Sequence, residues 1–269
     1  MFDHDQYGQF DELTPINRWS RIKTKKLESD VLCKHATLTG YVSSTSHESS
    51  HRLLDSAIFL KKFHHDIVPR LESLMVLQKP MTNNSIEYIK EIMGVIEVSG
   101  LSRRESTVRE FNKIQSFLDS VLRRLRAEGN CDVQLVFTHG DFCPANMLNT
   151  RHGIRIIDWE GAKYRSALFD FYSYFFYRPV SRKVPVATLA SELNEALPFF
   201  ISNLDKKAPH ISNNLIQLNN VYRWIYYIEQ ICKEVEREMT DKNLNILESI
   251  LRYIEAFNRY EEIRADNIE

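Results

Sequence analysis

The side chains best suited to chemistry lie in two short runs. The first is Val136-Phe137-Thr138-His139-Gly140-Asp141-Phe142-Cys143-Pro144-Ala145-Asn146-Met147-Leu148, and the second is Ile154-Arg155-Ile156-Ile157-Asp158-Trp159-Glu160. An apolar stretch ends in His-Gly-Asp, an Asn follows, and a second apolar stretch ends in another Asp. The pattern H-x-D-x-x-x-x-N, with a further Asp after the next strand, is the layout of a phosphoryl-transfer catalytic loop. Such chemistry asks for a carboxylate that orients the attacking hydroxyl and accepts its proton. It also asks for hard oxygen ligands that hold Mg²⁺ against the nucleotide phosphates. Asp141 suits the first role, and Asn146 and Asp158 the second. Glu160 lies close enough in sequence to reach the water shell of the metal or the acceptor. The run Asn149-Thr150-Arg151-His152-Gly153 predicts a turn between two short strands, a hairpin that returns Asp158 to the 139–146 loop.

As they stand, HGDFCPANML and IIDWEGA resemble the signature of the aminoglycoside phosphotransferase and choline kinase group of kinase-like enzymes. That signature reads His-Gly-Asp, four variable residues, Asn, then a strand ending in Ile-Asp-Trp-Glu or Ile-Asp-Phe-Glu. The group also carries a later Asp that opens a helix, matched by Asp170 in Leu168-Phe169-Asp170-Phe171-Tyr172. The resemblance covers residues 135–176 strongly and the helical remainder loosely. Gly140 stands where protein kinases carry Arg, which points to small-molecule kinases. The resemblance implies an α+β, protein-kinase-like fold, mainly the helical large lobe with a small β-hairpin at the catalytic loop. It implies ATP and Mg²⁺ as cofactors and a hydroxyl acceptor, whether aminoglycoside, sugar or choline-like alcohol. His139 is expected to brace the loop by hydrogen bonding, Asp170 to cap its helix, and Cys143 to be a bystander.

A chain of 269 residues with 43% hydrophobic and 26% charged residues is long and apolar enough for a sizeable core. Its net charge of −1 supplies no long-range field to attract nucleic acid or an anionic membrane. Cys33, Cys131, Cys143 and Cys232 lie far apart with no CxxC pair. That argues against a zinc site or disulfide framework and fits a reducing, cytoplasmic setting. The acidic, polar start Met1-Phe2-Asp3-His4-Asp5 reads as no signal peptide, and no run approaches the roughly 20 apolar residues of a membrane span.

The elements that must position these groups divide the chain at about residue 52. Residues 1–52 read as a residual or incomplete N-terminal lobe and linker, with the sheet lobe reduced, truncated or absent. Gly8 and Gly40 form no G-x-G-x-x-G, Lys23, Lys25 and Lys26 read as a solvated face, and Ser43–Ser50 reads as a polar linker. Residues 53–269 read as a kinase-like helical lobe carrying the catalytic loop. A helix is expected over about 53–65, another after a Ser85 cap, and a long amphipathic one from Val108 to Leu125, ended by Gly129. Residues 178–185 read as a loop. In the helix over about 213–238, Val221, Ile225, Ile228, Cys232 and Val235 make a core stripe. Tyr222, Tyr226 and Glu229 flank it. Aromatic faces with carboxylates suit a cationic acceptor, although packing is the plainer use of the same residues.

Three functional readings are open at this point. The first is an ATP-dependent phosphotransferase moving the γ-phosphoryl group to a hydroxyl of a small molecule. The second is a catalytically silent kinase-like binding module, since the glycine loop and strand lysine are missing from the sequence pattern. The third, a metallohydrolase using His139, Asp141 and Asp158, leaves Asn146 without a purpose.

Overall fold

The computed structural model describes residues 56–99, 108–151, 153–182, 184–240 and 246–266. The Gly8, Gly40, Lys23–Lys26 and Ser43–Ser50 expectations, and the boundary near residue 52, lie outside the described residues. What is described is mostly helical, with few strands.

The chain enters through α1 (Ser56–Lys62), a π-helical turn over Phe63–Ile67, and α2 (Val68–Val76). Strand β1 (Met81–Asn84) leads into α3 (Ser85–Val98), and α4 (Val108–Ala127) into β2 (Asp132–Thr138). A 3₁₀ turn (Pro144–Asn146) precedes the hairpin of β3 (Met147–Thr150) and β4 (Gly153–Ile156), and β5 (Lys163–Ser166) follows. Helices α5 (Phe169–Arg182), α6 (Val186–Asp205), α7 (Pro209–Gln217), α8 (Asn219–Thr240) and α9 (Ile246–Asp266) complete it.

The sheet that carries the catalytic loop is antiparallel, in the order β1-β2-β5, with Leu135 opposite Met81 on one side and Ser166 on the other. Beyond β1, the Gln78 side chain continues the edge. Its amide donates to Phe137 O at 2.9 Å and its oxygen accepts the Phe137 N–H at 2.5 Å. The hairpin forms a separate pair, with Thr150 opposite Gly153 across the expected turn.

Helix α8 is the hub, in contact with α3, α4, α5, α7, α9 and β5. Because neighbours surround it, every residue from Val221 to Val235 is buried, well beyond the single stripe that its periodicity suggests. Phe176, Tyr226, Tyr227 and Phe257 pack edge-on, tilted or stacked with centroids between 4.1 and 6.1 Å apart. Aromatic pairs at such spacings add to the area that they bury.

Two local expectations change. Asn84, not Ser85, caps α3. Its side-chain oxygen accepts the Ile86 and Glu87 N–H groups, while Ser85 is the first helical residue and its hydroxyl accepts the Cys131 N–H. Residues 178–182 are helical rather than loop, and Pro179 sits inside α5. Buried Arg178 pairs with Glu192 of α6 and lies 3.5 Å from the centre of the Phe59 ring, and these contacts hold the helix past the proline.

Candidate active site

The site begins where β2 runs out. Thr138 donates its hydroxyl to Lys163 O across the sheet at 2.9 Å, and the chain then turns sharply through Gly140 at φ +85°. A Cβ on Gly140 would stand 2.1 Å from the Gly161 carbonyl oxygen, so glycine is required both for the dihedral and for the approach of the two segments. Buried Arg165 of β5 stitches this crossing, donating to Thr138 Oγ1 at 3.1 Å and to Gly161 O at 3.0 Å.

Asp170 holds the loop from below. It lies in the first turn of α5, and its carboxylate accepts the His139 N–H at 2.6 Å and the Gly140 N–H at 3.0 Å. It therefore binds the donors of another segment, where a cap of its own helix was expected. Burial pushes this carboxyl up from its ordinary value, while the two N–H groups that it accepts and the nearby Arg165 oppose that.

His139 is fully buried and ties three segments together. Its Nδ1 accepts the Asp141 N–H at 3.2 Å, and its Nε2 lies 2.7 Å from Ile157 O. With Nδ1 accepting, Nε2 is the nitrogen left to donate to Ile157 O. Both ring nitrogens of His139 are engaged by backbone, which disfavours the metallohydrolase reading that needs one of them for a metal.

The loop delivers Asp141 half-exposed, with both carboxylate oxygens partnered. Asn146 Nδ2 donates to Asp141 Oδ2 at 2.8 Å and to Asp141 O at 2.9 Å. Lys233, arriving from α8, donates to Asp141 Oδ1 at 2.7 Å. Burial pushes the Asp141 carboxyl up, but Lys233 together with Asn146 outweighs it and holds the group below the ordinary carboxylate value. Asp141 is thus ionised throughout the neutral range.

Asn146 and Asp158 are joined through backbone, since the Ile157 N–H donates to Asn146 O at 3.0 Å. Asp158, the next residue, is exposed and sits at φ +64°, the one non-glycine at positive φ among the described residues. Its carboxylate has no hydrogen-bond or ion-pair partner among them.

The donor set fits a magnesium ion. Asn146 spends its Nδ2 on Asp141 and keeps its carbonyl oxygen, and Asp158 carries a carboxylate, so two hard oxygens are available and the rest can come from phosphates and water. No group of three or more His, Cys, Asp or Glu suited to a metal occurs among the described residues, which a one-carboxylate, one-amide site does not need. Trp159 walls the site, edge-on to His139 at 4.7 Å, with its Nε1 donating to Ile156 O. Glu160 is exposed nearby. Cys143 is buried, and burial pushes its thiol up, away from the reactive thiolate.

Residues 50–198 match the sequence model of the phosphotransferase enzyme family. The chain belongs to the phosphotransferase enzyme family. The match spans the loop, the hairpin and Asp170, and ends before α8. No curated protein matches this family member. Among its described residues, no helix is long and apolar enough to cross a membrane.

The three flanking residues of α8 are placed in the interior. Tyr222 OH accepts the Gln134 N–H at 2.7 Å and also bonds to Asn214 Oδ1. Tyr226 is enclosed by Phe169, Tyr172 and Phe176. Glu229 accepts the Ser166 N–H at 2.7 Å, the Ser166 hydroxyl at 2.5 Å and the Tyr88 hydroxyl at 2.5 Å. Burial pushes the Glu229 carboxyl up, opposed by these donors. None of the three opens toward Asp141.

Lys233 was missed by the sequence reading, which followed apolar periodicity and acidic residues. The available signal was a basic residue set between Cys232 and Val235 of the stripe, one turn after Glu229. Arg165 carried no signal at all, because its role exists only across the crossing of Gly161 with Gly140.

Proposed function

We propose that this phosphotransferase family member transfers the γ-phosphoryl group of ATP to a hydroxyl of a small molecule. The reading rests on one observation above others: Asn146 bonds the Asp141 carboxylate through its amide while its backbone oxygen anchors the residue before Asp158. The base and both metal ligands are then parts of one hydrogen-bonded unit.

Asp141, ionised and half-exposed, orients the acceptor hydroxyl and takes its proton. The acceptor oxygen bonds to the γ-phosphorus as the bond to the β,γ-bridging oxygen breaks, and ADP departs. Asn146 and Asp158 would hold Mg²⁺, which supplies charge neutralisation at the phosphate oxygens. His139 and Asp170 position the loop and touch no substrate. Glu160, exposed two residues past Asp158, would meet the metal's water shell or the acceptor. In this reading, residues 53–269 are the kinase-like large lobe, and the protein works in the cytoplasm.

ATP consumption by the purified protein with a panel of sugars, aminoglycosides and amino alcohols tests the proposal, with D141N beside the wild type. The expected result is acceptor-dependent turnover that D141N lowers by at least about 10²-fold. Turnover untouched by D141N overturns the role of Asp141. A second reading, a nucleotide-binding module without turnover, draws on both Asp141 oxygens being engaged. It predicts a Mg²⁺-dependent thermal shift with ATP and no consumption with any acceptor.

A further inference from the structure

We infer that Lys233 is a catalytic residue of this site, a cation that hydrogen-bonds the transferring phosphoryl group. The inference rests on the phosphotransferase reading above and adds to it a residue outside the segment that the family model matches.

The geometry carries it. Lys233 comes from α8, buried at every residue from Val221 to Val235, and its side chain is only 10% exposed, whereas that of its partner Asp141 is 48% exposed. The side chain of Lys233 is therefore largely enclosed, and its Nζ reaches the half-exposed Asp141 carboxylate. An ammonium has three N–H donors. One goes to Asp141 Oδ1, and no other partner occurs among the described residues. A lysine desolvated to this degree is costly unless its remaining donors are satisfied. Oxygens of a phosphoryl group beside Asp141 would satisfy them.

The neighbouring cations are otherwise employed. Lys163 donates to both oxygens of Glu236 at 2.6 and 2.7 Å, Arg237 is paired with Glu234 at 3.0 Å, and Arg165 is buried against Thr138 and Gly161. Lys233 is thus the positive side chain whose partner is the proposed base itself. In a loose transition state, charge spreads over three equatorial phosphoryl oxygens and must be met by fixed positive groups. Lys233 forms no covalent bond and gives up no proton. It donates hydrogen bonds to an equatorial oxygen while the acceptor proton goes to Asp141.

A transition-state mimic separates this role from a structural one, and no acceptor need be known. Thermal shifts of the full chain are compared with Mg²⁺-ADP and with Mg²⁺-ADP plus aluminium fluoride, for wild type, K233M and K233R, alongside ATP hydrolysis with water as acceptor. The wild type is expected to gain a further shift from aluminium fluoride. K233M should keep the Mg²⁺-ADP shift and lose the fluoride increment, and K233R should retain part of it. Hydrolysis should fall about 10²-fold in K233M, with KM for ATP changed by less than about threefold. A fluoride increment of wild-type size in K233M overturns the inference and leaves the phosphotransferase reading intact. No Mg²⁺-nucleotide shift in the wild type sinks that reading first and this inference with it. If K233M does not fold, K233Q takes its place under the same two criteria.

Discussion

Asp170 grips Gly140 from outside the loop: its Oδ1 accepts the Gly140 N–H at 3.0 Å, while its Oδ2 takes the His139 N–H at 2.6 Å. A carboxylate is the one side chain of this size that presents two acceptors and no donor. In D170N, one amide face would turn N–H against N–H. We expect D170N to lower stability by about 2–3 kcal/mol, the scale for losing a charged acceptor at a buried donor. Turnover should fall further than stability, because the loop carrying Asp141 loses its anchor. Urea denaturation and ATP consumption measure the two effects.

Gly140 and Gly129 share a positive φ, +85° and +88°, but not surroundings. A Cβ at Gly129 meets nothing within 4 Å, whereas at Gly140 it meets backbone at 2.1 Å. G129A should cost about 1 kcal/mol, the dihedral penalty alone. G140A adds a clash that no rotamer relieves, and should cost more than about 4 kcal/mol or prevent folding. Melting temperatures of the two variants check the contrast. Equal losses would show that the 140–161 crossing can open without cost.

Asp158 combines an unfavourable φ of +64° with an exposed, unpaired carboxylate. D158G relieves the backbone and adds chain entropy to the unfolded state, two effects of about 1 kcal/mol and opposite sign. The expected outcome is stability within about 1 kcal/mol of wild type. The Mg²⁺-dependent part of the ATP thermal shift should disappear in the same variant. A retained Mg²⁺ increment would remove Asp158 as a ligand.

Glu229 separates core from acceptor site. Three donors converge on its carboxylate in the interior. E229Q would turn an amide toward at least one of them and should cost about 2–4 kcal/mol. The KM for any acceptor should stay unchanged, as read in steady-state assays. A raised acceptor KM without loss of stability would return Glu229 to the acceptor site.

The loop and hairpin geometry of the candidate site was legible in the sequence because its parts are local. Asp141 and Asn146 share one tight turn, and a four-residue strand pair brings Asp158 back beside them, so spacing alone carries their relationship. The hydrophobic stripe of α8 was legible for the same reason, since helical period is a property of adjacent residues. What the tertiary structure decided depends on contacts between distant segments, which leave no period and no spacing to read. Tyr222, Tyr226 and Glu229 face inward because α3, α4, α5 and α9 enclose α8 on all sides, although their types suited a cation. Asp170 binds the loop rather than its own helix because β2 ends directly over the first turn of α5. Lys233 meets Asp141 across 92 positions of sequence, and only the packing of α8 against the loop makes that charge part of the site.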